Sequence, residues 1–297
     1  MSYITKTLYG PGYRFITNNY SFGSRGGKRE EKRERTKEEM AKQNARNRAI
    51  HTQLLILGNF RGGWHVILTY PKDDRPPDAE GGKKELRKFL ERAGRRYKRA
   101  GYEFKWLSVT EIGSRGAVHH HLIIEDIQDA EFSSQRAIRE SWKGGKYFTP
   151  MYEEGEYRSL SEYLVKKETK EDIPGCKVTH SRNLIMPKTK RVKRKGNIWP
   201  VDPRIPKGWE LVKDSLFNGI NIFTGLPSQQ YLLIEIKENK NAGKNVPVLN
   251  DKEHPPCGRD RPVRIGNGDW RQGGYPPGKD PVQGKTGGKN RKGKGLR

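Results

Sequence analysis

Only two cysteines, Cys176 and Cys257, occur in the chain, too few and too scattered for a disulfide scaffold or a cysteine zinc site. Long apolar runs are also missing. Nothing approaches the ~20 residues that a membrane span needs, and no apolar leader opens the sequence. Acidic residues are scarce, with Asp+Glu 35 against Lys+Arg 60 and a formal net charge of +25. Hydrophobic residues make up only 32% of 297 positions, beside 34 glycines, so the folded mass is expected to be less than the length allows. These absences argue against a disulfide-stabilised secreted protein and a membrane protein, and the expected compartment is the cytoplasm. The surplus of positive charge points to a polyanion, with nucleic acid the default partner. No Gly-x-x-x-x-Gly-Lys-Ser/Thr phosphate loop is present, so strand unwinding would fall to another protein.

What is present begins with an expected flexible arm over 1–35. Thr36 followed by Glu39 has the capping-box spacing and opens a helix that Gly58 should stop near Leu57. Arg46 and Arg48 on its basic side are candidates for phosphate contact. Trp64-His65-Val66-Ile67-Leu68-Thr69-Tyr70 reads as a strand ended by Pro71. A polar loop over 73–82 follows. Leu86, Phe89, Leu90 and Ala93 then stripe one side of a basic helix over 83–99. Residues 104–111 and 117–125 suit two strands of a hairpin. Ser133-Ser134 opens a helix that runs through Trp142, and 146–152 suits an edge strand because it contains proline. A further helix starts at Ser159 or Ser161 and runs to about Lys170.

Strand, helix, hairpin, helix, strand is the order of a ferredoxin-like α+β fold. It implies an antiparallel sheet with helices on one face and an open face for ligands. The basic run Lys188–Lys195 reads as a phosphate-tracking or solvated linker. Residues 205–237 regain strand character, and from 238 onward the chain reads as a disordered basic tail. Such a tail adds salt-sensitive, sequence-independent affinity for nucleic acid. The expected division is an arm at 1–35, a catalytic domain with its leading helix at 36–185, a basic linker and small β extension at 186–237, and a tail at 238–297.

Three of the seven histidines stand together in Gly116-Ala117-Val118-His119-His120-His121-Leu122-Ile123-Ile124. On a strand, side chains alternate between faces, so His119 and His121 point one way and His120 the other. Two imidazoles so placed can share a metal ion. Ser114-Arg115-Gly116 fits a three-residue hairpin loop closed by a glycine at positive φ. That loop sets Glu111 opposite His119, on the same face, whereas a slip of one residue would turn Glu111 away. The expected cluster is Glu111, His119 and His121. Taken singly, each of these is more often a satisfied or solvated side chain, and only the shared parity argues for a metal.

The helix over 160–170 carries Tyr163 with Lys166, Lys167 and Lys170 on its side. A phenol is a poor nucleophile near neutral pH because its pKa is about 10. Ammonium groups beside it favour the phenolate and also hold phosphate oxygens. A metal on the facing sheet would polarise the phosphoryl group under attack. The competing reading packs Tyr163 into the core and leaves the lysines solvated.

His119-His120-His121 resembles the histidine–hydrophobe–histidine motif of the HUH endonucleases, with His120 in the slot that usually holds an apolar residue. Tyr163-Leu164-Val165-Lys166 is similar to their Tyr-x-x-Lys motif, and Ile67-Leu68-Thr69-Tyr70 to their first, strand-borne motif. Within that superfamily the likeness is to replication-associated proteins of phage gene II and gene A type, found in bacterial phages, plasmids and integrated elements. It spans about residues 36–237 and includes Asn59-Phe60 and Ser181-Arg182-Asn183-Leu184, which makes Arg182 a further DNA-binding candidate. The resemblance implies an RRM-like fold and rolling-circle initiation on single-stranded origin DNA in a bacterial cytoplasm, with host helicase and polymerase as partners. It implies Mn²⁺ or Mg²⁺ on Glu111, His119 and His121, attack by Tyr163 to leave a 5′-phosphotyrosine, and Lys166 orienting phosphate or phenol. Mn²⁺ suits mixed imidazole and carboxylate ligands better than Mg²⁺ does. Some relatives place a second tyrosine four residues on. Here that position is Lys167, so a single-tyrosine mechanism is expected, with Tyr157 the nearest substitute. A relaxase or single-tyrosine transposase with the same chemistry, and a non-catalytic RRM-like single-strand binder, are the rival readings. The sequence sets no oligomeric state.

Overall fold

The computed structural model describes residues 2–20, 36–113, 116–151, 156–166, 177–196, 198–221 and 224–236. In chain order the elements are β1 (Ser2–Gly10), β2 (Tyr13–Tyr20), α1 (Lys37–Asn59), β3 (Trp64–Thr69), α2 (Ala79–Arg99), β4 (Trp106–Ile112), β5 (Val118–Ile124), α3 (Ser134–Ser141), β6 (Lys146–Pro150), α4 (Arg158–Lys166), β7 (Thr179–His180), β8 (Lys188–Lys195), β9 (Trp209–Leu211), β10 (Phe217–Asn221) and β11 (Leu226–Glu235).

The expected α+β core is β3-α2-β4-β5-α3-β6. Its strands, with β7, form an antiparallel sheet ordered β6-β3-β5-β4-β7. Alternation along β5 sorts its residues. Val118, His120, Leu122 and Ile124 take one face and His119, His121 and Ile123 the other. On the first face Val66, Leu68, Leu122 and Ile124 pack with Leu86, Phe89 and Ala93 of α2 and Ile138 of α3. Gly82 lets α2 sit this close, because a Cβ there would meet Val118 Cγ1 at 2.6 Å. The second face is not wholly open, contrary to the expectation of helices on one side. Leu107, Val109 and Ile123 share a core with Leu54, Leu55 and Ile56 of α1 and Leu164 of α4. Helices therefore cover the apolar end of that face, while its polar end carries Glu111, His119 and His121.

A second sheet, ordered β10-β11-β2-β1-β8 with β9 on β11, overturns two expectations. Residues 2–20 are not an arm but a hairpin, with Tyr3 paired to Tyr20 and Gly10 to Tyr13. The basic run at 188–195 is not a linker but a strand paired along its length with β1. The two ends of the described chain thus complete one sheet, and its Tyr13 and Leu232 join α1 in the core. Residues 21–35 and the expected tail lie outside the described residues.

Helix boundaries differ locally. Thr36 caps α1 with a complete capping box, but the helix passes through Gly58 to Asn59. A Cβ on Gly58 would lie 3.2 Å from the Tyr13 ring, so this glycine makes room for β2 rather than ending the helix. The α2 helix begins four residues before its expected start, because Asp78 Oδ1 accepts from Gly81 N at 2.7 Å and caps it. Ser161 lies within α4, its hydroxyl donating to Tyr157 O at 2.7 Å. No helix of the described residues is long and apolar enough to cross a membrane.

Candidate metal and nucleophile site

The β4–β5 register sets Glu111 against His119 and Ile112 against Val118. Beyond the strands, Gly113 N donates to Ala117 O and Gly116 N donates to Gly113 O, both at 2.9 Å. Gly116 has φ 72°, the left-handed conformation that such a loop asks of its closing residue. The parity that places Glu111 with the two histidines therefore comes from local hairpin geometry.

Glu111 Oε2 lies 3.0 Å from His119 Nε2 and 3.1 Å from His121 Nε2. The three ligand atoms fall within 4.8 Å of one another. Neighbouring ligands of an octahedral ion with ~2.1 Å bonds stand about 3 Å apart, so the donor set fits a divalent cation. Hydrogen bonding points the same way. His119 Nδ1 is 3.2 Å from Ala117 O, and that carbonyl can only accept. A neutral imidazole can donate to Ala117 O or to Glu111, not to both. A cation lodged between Nε2 and Oε2 removes that conflict.

Tyr163 stands over this cluster from α4. Its ring centroid is 5.5 Å from that of His121, with the planes at 88°, and the side chain is 42% exposed while His121 is 1% exposed. The core-packed reading of Tyr163 is thereby corrected, since its neighbours Leu164 and Val165 fill the core instead. Lys166 is the last described residue of α4, and Lys167 and Lys170 lie outside the described residues. Arg46, Arg48 and Arg182 are all exposed. The Arg46 guanidinium sits 5.2 Å over the Phe217 ring of β10. Tyr157, the substitute second tyrosine, is buried, and its hydroxyl accepts from Gly62 N at 3.2 Å.

His120 faces α2. Its Nε2 is 2.7 Å from Tyr70 Oη and its Nδ1 3.0 Å from Thr110 Oγ1, so a neutral ring satisfies both neighbours. Burial, reinforced by His119 and His121, pushes its pKa down to about 3. Burial likewise raises the Tyr70 phenol. A histidine can therefore occupy the apolar slot because it stays neutral there.

Two residues escaped the sequence reading. His65 on β3 brings Nε2 to 3.0 Å from His121 Nδ1. Tyr147 on β6 is 63% exposed and shares the site face, in the row Tyr147–Ile67–His121–Val109. Strand parity would flag both, but only once the pairing of β3 with β5 and β6 is known.

No curated protein and no solved structure matches the chain. Residues 64–172, which carry Glu111, His119, His121 and Tyr163, match the model of the replication-associated protein family named for ORF2 and the phage gene II protein, and the domain built from them belongs to that family.

Proposed function

We propose that this chain nicks and rejoins single-stranded DNA at a replication origin, starting rolling-circle replication of a bacterial phage, plasmid or integrated element. The observation that carries the reading is the edge-to-face approach of Tyr163 to His121, a member of the Glu-His-His cluster. In this reading Glu111, His119 and His121 hold Mn²⁺ or Mg²⁺, which when bound draws electron density from a phosphoryl oxygen. The Tyr163 phenol gives up its proton and its oxygen bonds to phosphorus. The bond from phosphorus to the 3′ oxygen breaks, and that oxygen takes a proton to become a free 3′-hydroxyl. A 5′-phosphotyrosine remains, and attack by a 3′-hydroxyl reverses the sequence and reseals the strand. Lys166, one turn beyond Tyr163, orients phosphate or phenol, and Lys167, Lys170, Arg46, Arg48 and Arg182 contact the backbone.

Residues 36–185 act as the catalytic domain in the cytoplasm, with helicase and polymerase from the host. Burial of Tyr157 supports a single nucleophile, since its hydroxyl is engaged by Gly62. Incubation with single-stranded origin DNA and Mn²⁺ should give a covalent protein–DNA adduct that is absent in Tyr163→Phe. An adduct that persists in this variant overturns the assignment.

A further inference from the structure

Six of the eight residues of β8 are cations: Lys188, Lys190, Arg191, Lys193, Arg194 and Lys195. All six are exposed. The strand closes its sheet, pairing with β1 on one side only among the described residues. No acidic residue occurs in β1, β2 or β8, and none of the six cations forms an ion pair with a described residue. A lysine or two is enough to keep a free edge from pairing with another chain. Six cations in eight residues exceed that need.

Their placement is informative. Lys188, Lys190 and Arg194 share one face with Tyr9, Thr7 and Tyr3, while Arg191, Lys193 and Lys195 share the other with Lys6, Ile4 and Ser2. The free edge is thus a ridge with a cation row on each flank. At about 3.3 Å per residue the ridge is roughly 25 Å long, or some seven base pairs at about 3.4 Å each. A single strand could follow one row. Two rows on opposite flanks match the two phosphate walls of a groove. The ridge is also held against the catalytic domain. Between β7 and β8, Ile185 N donates to Asn59 Oδ1 at 2.7 Å and Asn59 Nδ2 donates to Ile185 O at 3.0 Å, while Leu184 is buried.

We infer that β8 straddles the two phosphate walls of duplex DNA flanking the nicked strand. This rests on the function proposed above. It adds a second DNA surface, outside the residues matched by the family and distinct from the single-strand site.

The test uses the full chain, with a duplex and a single strand of equal length and sequence, each titrated across a salt series by fluorescence anisotropy. One variant carries Lys188→Gln, Lys190→Gln and Arg194→Gln, and the other Arg191→Gln, Lys193→Gln and Lys195→Gln. Each lost phosphate contact should flatten the log–log salt dependence of duplex affinity by about 0.9, hence by about 2 to 3 per variant. Single-strand binding should change by less than half as much, and the Tyr163 adduct on a single-stranded oligonucleotide should form as in the parent chain. An unchanged duplex slope overturns the inference. So does an equal loss on duplex and single strand, or a loss confined to vesicles of anionic lipid. Absence of the adduct in the parent chain would instead count against the nicking reading itself.

Discussion

His65 Nε2 lies 3.0 Å from His121 Nδ1, with the two rings stacked at 20° and 5.2 Å between centroids. One nitrogen must donate and the other accept. If His121 Nε2 binds a cation, its proton sits on Nδ1 and His65 is the acceptor, which fixes the tautomer that leaves Nε2 free for metal. Partners of this kind are usually worth roughly 10- to 100-fold in metal affinity. We predict that His65→Phe, which keeps a ring but loses the acceptor, weakens Mn²⁺ binding by about that factor. His65→Gln should fall between. Titration calorimetry measures both, and adduct formation should return at saturating Mn²⁺. Parent-like affinity in His65→Phe would show that the contact does not position the ligand.

Tyr147 offers a second test on the same face. A Cβ on Gly145 would lie 2.4 Å from Thr69 Oγ1 and 3.4 Å from Tyr147 Cε2, so the exposed ring lies by Thr69, which pairs with His119. Stacking of one base on an aromatic ring contributes about 1–3 kcal/mol, or roughly 5- to 150-fold in affinity. Tyr147→Ala should weaken binding of a single-stranded oligonucleotide within that range, and Tyr147→Phe should restore it. An abasic nucleotide at the stacked position should weaken the parent chain and leave Tyr147→Ala unaffected. If no position behaves this way, the ring does not hold a base.

How much of this is legible in sequence follows from the range of the forces involved. The hairpin is legible because Gly116 and the alternation of Val118 to Ile124 fix its register over a short stretch. The pairing of Glu111 with His119 then follows from counting. Strand β1 is not legible. Its residues mix Tyr, Thr, Lys and Ile on both faces, and one of its partners is β8, near the other end of the described chain. Nor does Lys188–Lys195 show the apolar alternation of a half-buried strand, because only its backbone and Val192 engage the sheet. In the sequence His65 is only one residue of a strand. Its link to His121 needs the β3–β5 register, which no local signal sets.

His120 makes acid stability a specific expectation. Burial lowers its pKa to about 3 in the folded chain, against about 6.5 when unfolded. Between these values the unfolded chain binds the extra proton, so stability rises with pH through this window and is fully present above about 6.5. Acidification from about pH 6.5 to about pH 5 should cost about 2 kcal/mol from this group, at roughly 1.36 kcal/mol per pH unit. His120→Gln can still hydrogen-bond Tyr70 or Thr110 but cannot titrate. Urea unfolding at several pH values should show a slope in the parent chain that is reduced in this variant. Burial, with His180 nearby, also depresses His51, but that contribution is common to both proteins and cancels. Equal slopes would mean that His120 is not held neutral by its site.

Metal addition separates a built cation site from a hydrogen-bonded cluster. In both, Glu111 Oε2 faces His119 Nε2 and His121 Nε2 at 3.0 and 3.1 Å, so distances alone do not choose. Linkage does. A ligand that binds only the folded chain stabilises it by about 2.7 kcal/mol when present at about 100 times its Kd. For a chain of this size that is a rise of several degrees in Tm, since about 1 kcal/mol shifts a domain of roughly 150–250 residues by about 2–4 °C. Mn²⁺ should raise the melting temperature of the parent chain in a concentration-dependent way, and a chelator should reverse the rise. Glu111→Ala removes one ligand and should abolish most of it, as should His119→Ala. His120→Gln, on the opposite face of β5, should keep it. Calorimetric scans with and without Mn²⁺ make the comparison, and adduct assays on the same samples link the shift to strand cleavage. If the metal shifts Glu111→Ala as far as the parent chain, the cation binds elsewhere and the cluster serves only to hold the hairpin together.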